Sequence, residues 1–373
     1  MEKKFKYLLV MLASSIGLTI VLLCLLPGSP LLVSGAPLPP ERPEAGDVPR
    51  KHIYLPLVNH KGGSLIVNPQ ARQEAREFYI NVYLGSEGTP IEWTGNHNSC
   101  IPGTTAETFR IAVLQRVNYF REMAGVPADV VFTDKYNQKA QKAALMMSCN
   151  DTLSHDPPNS WVCYTADGDT AAQRSNLFYG YNGWKAVEGY IKEPGSNNYA
   201  VGHRRWVLYP QTKFMGTGDV PAAGGHEAAN ALWIFDDNLY EPRPDTRYEY
   251  VAWPPPGYVP YQVVFPRWSF AYAGADFSSA AVSMKSGGKN YTVHIQPIVN
   301  GYGENTLVWE PVLDLERPPG GDRFFYVSVT NVLINGSPRD FSYTVIVFDP
   351  ATEKGVTVED TRDGKLGTPL KFP

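Results

Sequence analysis

Two histidines stand in separate short loops of this chain, His155 in NDTLSHDPP and His203 in NNYAVGHRRWVLY. Imidazoles from two loops that converge could bind a divalent metal, move a proton, or simply hold a ligand. Zinc takes three or four N, S or O ligands, so the pair alone does not complete a site. Hydrolysis would further require a base to activate the bound water. The plainer expectation is a loop histidine that hydrogen-bonds within the fold. Ser154, His155 and Asp156 are adjacent in sequence, but a hydrolase triad is assembled in space and adjacency does not argue for one. Ser175 lacks a G-x-S-x-G elbow. The Gly pair in VPAAGGHEA is too sparse for a phosphate loop, and His226 there reads as an exposed loop residue.

The elements that must position these loops are legible from periodicity. Phe109, Val113, Val117 and Phe120 recur at helical spacing. Thr104 followed by Glu107 reads as a capping box before them, and Gly125 as the stop. A second helix is predicted from Thr133, with Tyr136, Ala140, Ala144 and Met147 as an inner stripe whose alanines imply close packing. Shorter helices are predicted over 169–179 and 183–193. RRWVLYP, KFMGTG and NALWIFD then read as short strands. Beyond WPPPGYVPYQ the pattern alternates (AAVSMK, NYTVHIQPI, TLVWEPV, FFYVSVTNV, FSYTVIVFD), at the spacing of a β-sandwich. Its aromatics Trp268, Phe270, Tyr272, Trp309, Tyr326 and Tyr343 are read as core.

The N-terminus, MEKKFK followed by a long apolar run, reads as an export signal or, if uncleaved, a membrane anchor over 1–36. A Pro-rich linker follows over 37–63 and a flank over 64–99; the rest divides into 100–250, 251–350 and a tail, 351–373. The bulk of the chain is therefore expected outside the cell, secreted or anchored to the outer face of the membrane. A net charge of −4 without a basic block past the first residues argues against nucleic acid. Outside the leader the cysteines are Cys100, Cys149 and Cys163, which allow one internal bridge in an oxidising compartment. Cys149 with Cys163 is the expected pair, bracing the His155 loop by roughly 3 kcal/mol; Cys100 would be free or buried.

The ordered set VNYFREMAG, an Ala-rich helix, LSH, SNL, an aromatic-and-Glu helix, GHRRWVL and MGTG resembles the CAP superfamily (cysteine-rich secretory, antigen-5 and pathogenesis-related proteins), particularly its bacterial secreted branch. The resemblance implies an α+β chain: an α/β/α sandwich with a cleft, here followed by an antiparallel β-sandwich of immunoglobulin or fibronectin-III type. The family's cleft is often lined by two His and two acids. The histidines fall on His155 and His203. The first acid, in a G-E-N tripeptide, falls on Ser175 of Arg174-Ser175-Asn176, so that carboxylate is missing. The second falls on Glu193, three past Tyr190, with Glu188 as competitor. His155, His203 and Glu193 would then be the ligands of a divalent metal such as zinc, with water as the fourth.

The leading expectation is a non-enzymatic extracellular protein whose cleft (His155, Ser175, Asn176, Glu188, Glu193, His203) binds a metal ion, a small molecule, a peptide or a lipid-like molecule. The alternatives are a metal-dependent hydrolase of peptide or cell-envelope material, with Glu188 or Asp156 as base, and a structural surface protein with a vestigial cleft. The sandwich reads as a spacer or as an adhesion module for a cell-surface or envelope partner.

Overall fold

The computed structural model describes residues 66–314 and 317–352. The segments expected over 1–36 and 37–63, and all but the first two residues of the tail, lie outside them. The flank forms helix α1 (Arg72–Phe78), which runs on into a π-helical turn, Tyr79–Tyr83. Helix α2 (Glu107–Ala124) buries Phe109, Val113, Val117 and Phe120, and it ends where Gly125 takes φ 78°. The capping box does not form. Thr104 pairs instead with Thr94, its carbonyl accepting the Thr94 N–H and its own N–H donating to Thr94 Oγ1, and α2 starts at an N-cap, Ala106, with no side-chain bond.

Helix α3 (Asp134–Cys149) follows strand β1 (Val131–Phe132) and opens at Thr133, whose hydroxyl accepts the Tyr136 N–H. Helix α4 covers Ala166–Gln173, and the chain then becomes strand β2 (Ser175–Tyr179) where one helix through residue 179 was expected. Helix α5 is Gly183–Lys192. RRWVLYP is not a strand: Gly202–Val207 form a short helix, α6, which Val201 enters from φ 47°. Strands β3 (Phe214–Val220) and β4 (Ala229–Trp233) complete a four-stranded sheet in the order β1-β3-β4-β2.

Helices cover both faces of that sheet. On one side α3 and α4 pack on Leu177, Ala231 and Trp233; on the other α2 and α5 pack on Met215 and Leu232. The MGTG glycines explain how closely α3 approaches. A Cβ at Gly218 would lie 2.0 Å from the Ala140 carbonyl carbon, so α3 rests directly on β3. This is the α/β/α arrangement within an α+β chain.

The C-terminal half holds two facing sheets. The first has the order β10-β11-β7-β5 (β5 Val251–Trp253, β7 Trp268–Ala271, β10 Val293–Ile295, β11 Thr306–Pro311). The second has the order β6-β13-β12-β8-β9, built on the long hairpin of β12 (Arg323–Ile334) and β13 (Ser337–Phe348), with β6 (Gly257–Pro260), β8 (Ala281–Ser286) and β9 (Lys289–Tyr291). All pairings are antiparallel except β6 with β13. Trp268, Phe270, Trp309 and Phe325 fill the space between the sheets. Tyr326 is not core; it is 56% exposed on the outer face.

One hydrophobic core joins the two halves. Phe120 of α2 meets Trp253 of β5 edge-on at 5.2 Å, and residues of α1, α2, α5 and both C-terminal sheets belong to the same buried cluster. The expected bridge is also corrected. Cys100 pairs with Cys163, and Cys149 is a buried free thiol. All three sulfurs converge, Cys149 Sγ lying 3.5 Å from Cys163 Sγ, so spacing along the chain could not choose between the partners. The bridge actually made closes 63 residues, worth about 4 kcal/mol by loop closure.

Candidate functional site

His203 lies in the first turn of α6, and Glu193 ends α5. Glu193 adopts a left-handed backbone, φ 55° and ψ 59°, and Val201 does the same at the far end of the connecting loop. A β-branched residue at positive φ is costly, on the order of 1–2 kcal/mol. Such strain persists only where its surroundings over-determine it. Here the surroundings are the carboxylate of Glu193, which is fully buried. Its Oε2 accepts from His203 Nδ1 at 2.7 Å and its Oε1 accepts the Arg204 N–H at 3.0 Å. The second bond satisfies one of the free N–H groups at the start of α6, which Val201 has no side chain to cap.

Burial alone would lower the pKa of His203. The Glu193 carboxylate, by its charge and its hydrogen bond, outweighs that and holds it above the ordinary value. Tyr190 stacks on the His203 ring at 5.5 Å. Its hydroxyl is tied to the Asn230 side chain at 2.7 Å, and Asn230 donates to buried Asp219. The ring of His203 is thus held at its edge by a carboxylate and across its face by a phenol that is itself fixed. Asn176 adds a bond from Nδ2 to the His203 carbonyl.

His155 sits by α4, its Nδ1 2.7 Å from the Ala172 carbonyl. A carbonyl can only accept, so Nδ1 carries the proton and Nε2 keeps its lone pair. Burial pushes the His155 pKa down; the Ala172 bond opposes this and the charge of His203 adds to it. The two imidazoles therefore feel each other, one biased towards the neutral form and the other towards the cation.

The remaining predicted residues divide. Ser175 is buried with an unpartnered Oγ, on the α3 side of β2 with Leu177, while Asn176 faces α5 and α6 with Phe178. Glu188 stands apart from the histidines. It accepts from Tyr83 and lies 3.5 Å from the Arg116 guanidinium, holding the flank to α5. Asp156 is exposed. His226 is not a free loop residue: its ring stacks on His97 at 4.7 Å.

Zinc does not fit these donors. Glu193 has both oxygens engaged and orients His203 where a ligand was expected. Among the described residues no group of three or more His, Cys, Asp or Glu could hold a metal. Two imidazoles remain, and no step is derived through a metal.

Periodicity and motif order did not reveal the roles of Arg204 and Arg205. Both are buried and reach into the C-terminal sheets. Arg204 donates to the Ile191 and Arg267 carbonyls and to Ser269 Oγ. Arg205 donates to the carbonyls of Ala200, Val299 and Glu304. The only hint was two adjacent arginines inside an otherwise apolar stretch. Asn230 and Asp219 gave a similar hint, polar residues within strand-like runs.

Among the described residues no helix is long and apolar enough to cross a membrane. A comparison with curated proteins finds no match. Residues 114–235, which carry α3 to α6, the four-stranded sheet, both histidines and Glu193, match the model of CAP, the Cysteine-rich secretory protein family, and this supports placing that part of the chain in the CAP superfamily.

Proposed function

We propose that the chain is an extracellular, non-enzymatic binding protein of the CAP type, of the bacterial secreted branch, whose cleft holds a peptide or lipid-like ligand between His155 and His203. The observation that carries this reading is the engagement of Glu193. The metal-dependent hydrolase reading needs a third ligand beside the two histidines, and Glu193 was the residue expected to supply it. Here one acid is replaced by Ser175 and the other is saturated by His203 and Arg204. What is left is a pair of oriented imidazoles, His203 with a raised pKa and so suited to donate to an acidic or carbonyl group. The β-sandwich, of immunoglobulin or fibronectin-III type, serves in this reading as the surface that meets a cell-envelope partner. The chain is secreted or held at the outer face of the membrane by its N-terminal segment.

The test uses the 37–373 protein and a folded His155→Ala/His203→Ala variant. Each is dialysed against trace zinc for metal analysis by mass spectrometry, and each is titrated with a fluorescent fatty acid and a fluorescent peptide library. Saturable binding by the parent alone, with no retained zinc, is the expected result. Near-stoichiometric zinc in the parent, absent from the variant, would overturn the reading in favour of a metal-dependent hydrolase. Equal behaviour of both proteins in every assay would leave a structural surface protein.

A further inference from the structure

The join between the CAP-like half and the sandwich buries more positive than negative charge. Arg204 is 1% exposed and Arg205 7%, and every acceptor they use is a carbonyl or a hydroxyl. Neither makes an ion pair within 4 Å among the described residues. Arg243 is paired with Glu304 and Arg267 with Glu310. The remaining nearby carboxylate is Glu193, which bonds the Arg204 N–H and not its guanidinium. Two buried guanidinium groups and the His203 imidazole thus share one carboxylate, so the join holds more positive charge than negative. Buried charges are ordinarily paired because an uncompensated one is expensive.

The same residues line a small, half-open cavity with room of about 20 Å³, bounded among others by Arg204, Arg205, Tyr209, Trp253, Ser269 and Glu304. Three of its lining groups carry buried polar atoms without a partner: Arg204 Nη2, Arg205 Nε and Glu304 Oε2. One water occupies roughly 10–15 Å³ by this kind of measure, so the space suits a single-atom ion or one or two waters. Water could satisfy the orphan atoms, yet it would leave the charge.

We propose that this cavity binds one halide-sized monovalent anion, of the chloride class, between Arg204 Nη2 and Arg205 Nε. The anion completes both guanidinium groups and offsets the excess charge. Glu304 Oε2 lies on the cavity wall as the one unfavourable neighbour, and it sets an upper limit to affinity. Because α6 carries Arg204 and Arg205 next to His203, occupancy fixes the helix that presents the cleft histidine. The site does not depend on what the cleft binds.

The test is a crystal of the full chain in bromide, with anomalous diffraction recorded at the bromine edge. A peak between the two guanidinium groups is expected. In solution, melting is followed in sodium bromide against sodium gluconate at equal ionic strength. The midpoint should rise by about 3 °C for each tenfold increase in bromide above the dissociation constant. Glu304→Gln should shift that bromide dependence to about tenfold lower concentration or more, because the like charge is gone. If that variant fails to fold, the wild-type diffraction and melting measurements still decide. Water in the cavity with no anomalous peak would overturn the proposal, as would identical melting in bromide and gluconate.

Discussion

Replacing Glu193 by Gln tests how His203 is held. The substitution keeps the shape and removes the charge. Glu193 accepts two hydrogen bonds, one per oxygen, from His203 Nδ1 and the Arg204 N–H. The amide has one carbonyl oxygen for these two donors. If it stays on Arg204, the NH2 faces His203 and the imidazole must turn to its other tautomer. A hydrogen bond to a charged group contributes about 1.5–3 kcal/mol, so the loss at a pH where His203 is a cation should lie in that range. The pH dependence has a definite sign. The folded-state pKa of His203 is raised, so its contribution is complete below the unfolded value and is lost as pH rises through the folded one. Urea unfolding of both proteins at pH 5.5 and pH 9 measures this directly. The stability gap should be widest at pH 5.5 and clearly narrower at pH 9, and the His203 resonance in a proton-detected titration should move to lower pKa. A gap that is constant across pH, with an unmoved resonance, would refute the idea that the carboxylate acts through the imidazolium.

Further outcomes follow from other contacts. His155 has a lowered pKa, so its contribution is present above about pH 6.5, the unfolded value, and fades as pH falls towards the folded one; His155→Gln should flatten that acid limb of the stability profile. Gly218→Ala should cost more than about 3 kcal/mol in urea unfolding, because the new Cβ meets the α3 backbone, which cannot give way like a flexible side chain. The Cys149 thiol is pushed up to about 11 by burial, with the Asp151 charge adding, so iodoacetamide at pH 8 should leave it largely unmodified in the folded protein. In Cys100→Ser the 3.5 Å contact predicts a new Cys149–Cys163 bridge by non-reducing peptide mapping; two free thiols there would count against it. Arg205→Met should destabilise by about 2–4 kcal/mol, since it strands the carbonyls of Val299 and Glu304, and a change below about 0.5 kcal/mol would show the clamp to be idle.

What could be read in advance was mostly local. Gly125 and Thr133 mark helix ends through their own backbone and side chains, and the structure uses both so. LSH, GHR and MGTG were found in order, and all three fall within residues 114–235, the stretch that matches the family model. The errors were non-local. RRWVLYP has strand-like residues, but Arg204 and Arg205 find buried carbonyl partners more than sixty residues away, and Glu193 caps the turn they sit in. Thr104 and Glu107 have capping-box spacing, yet Thr94 claims Thr104 first. Cys149 lost Cys163 to Cys100 although all three sulfurs lie together, a choice made by the chain on either side. Glu193 was found by pattern, but its task of orienting an imidazole belongs to three-dimensional geometry.

Helix α1 has one more consequence, for synthesis. Arg72 pairs with Asp322 and donates to the Asp349 carbonyl and to Thr352, and Arg76 donates to the Pro350 carbonyl. Its basic face is therefore completed only by the last residues of the sandwich. A ribosome adds about 5–20 residues per second. Helix α1 must wait some tens of seconds, with those two arginines in solvent, until residues 322–352 emerge. Closure of the molecule is in this sense a late, post-translational event, and a chain arrested before residue 322 would carry α1 without its dock.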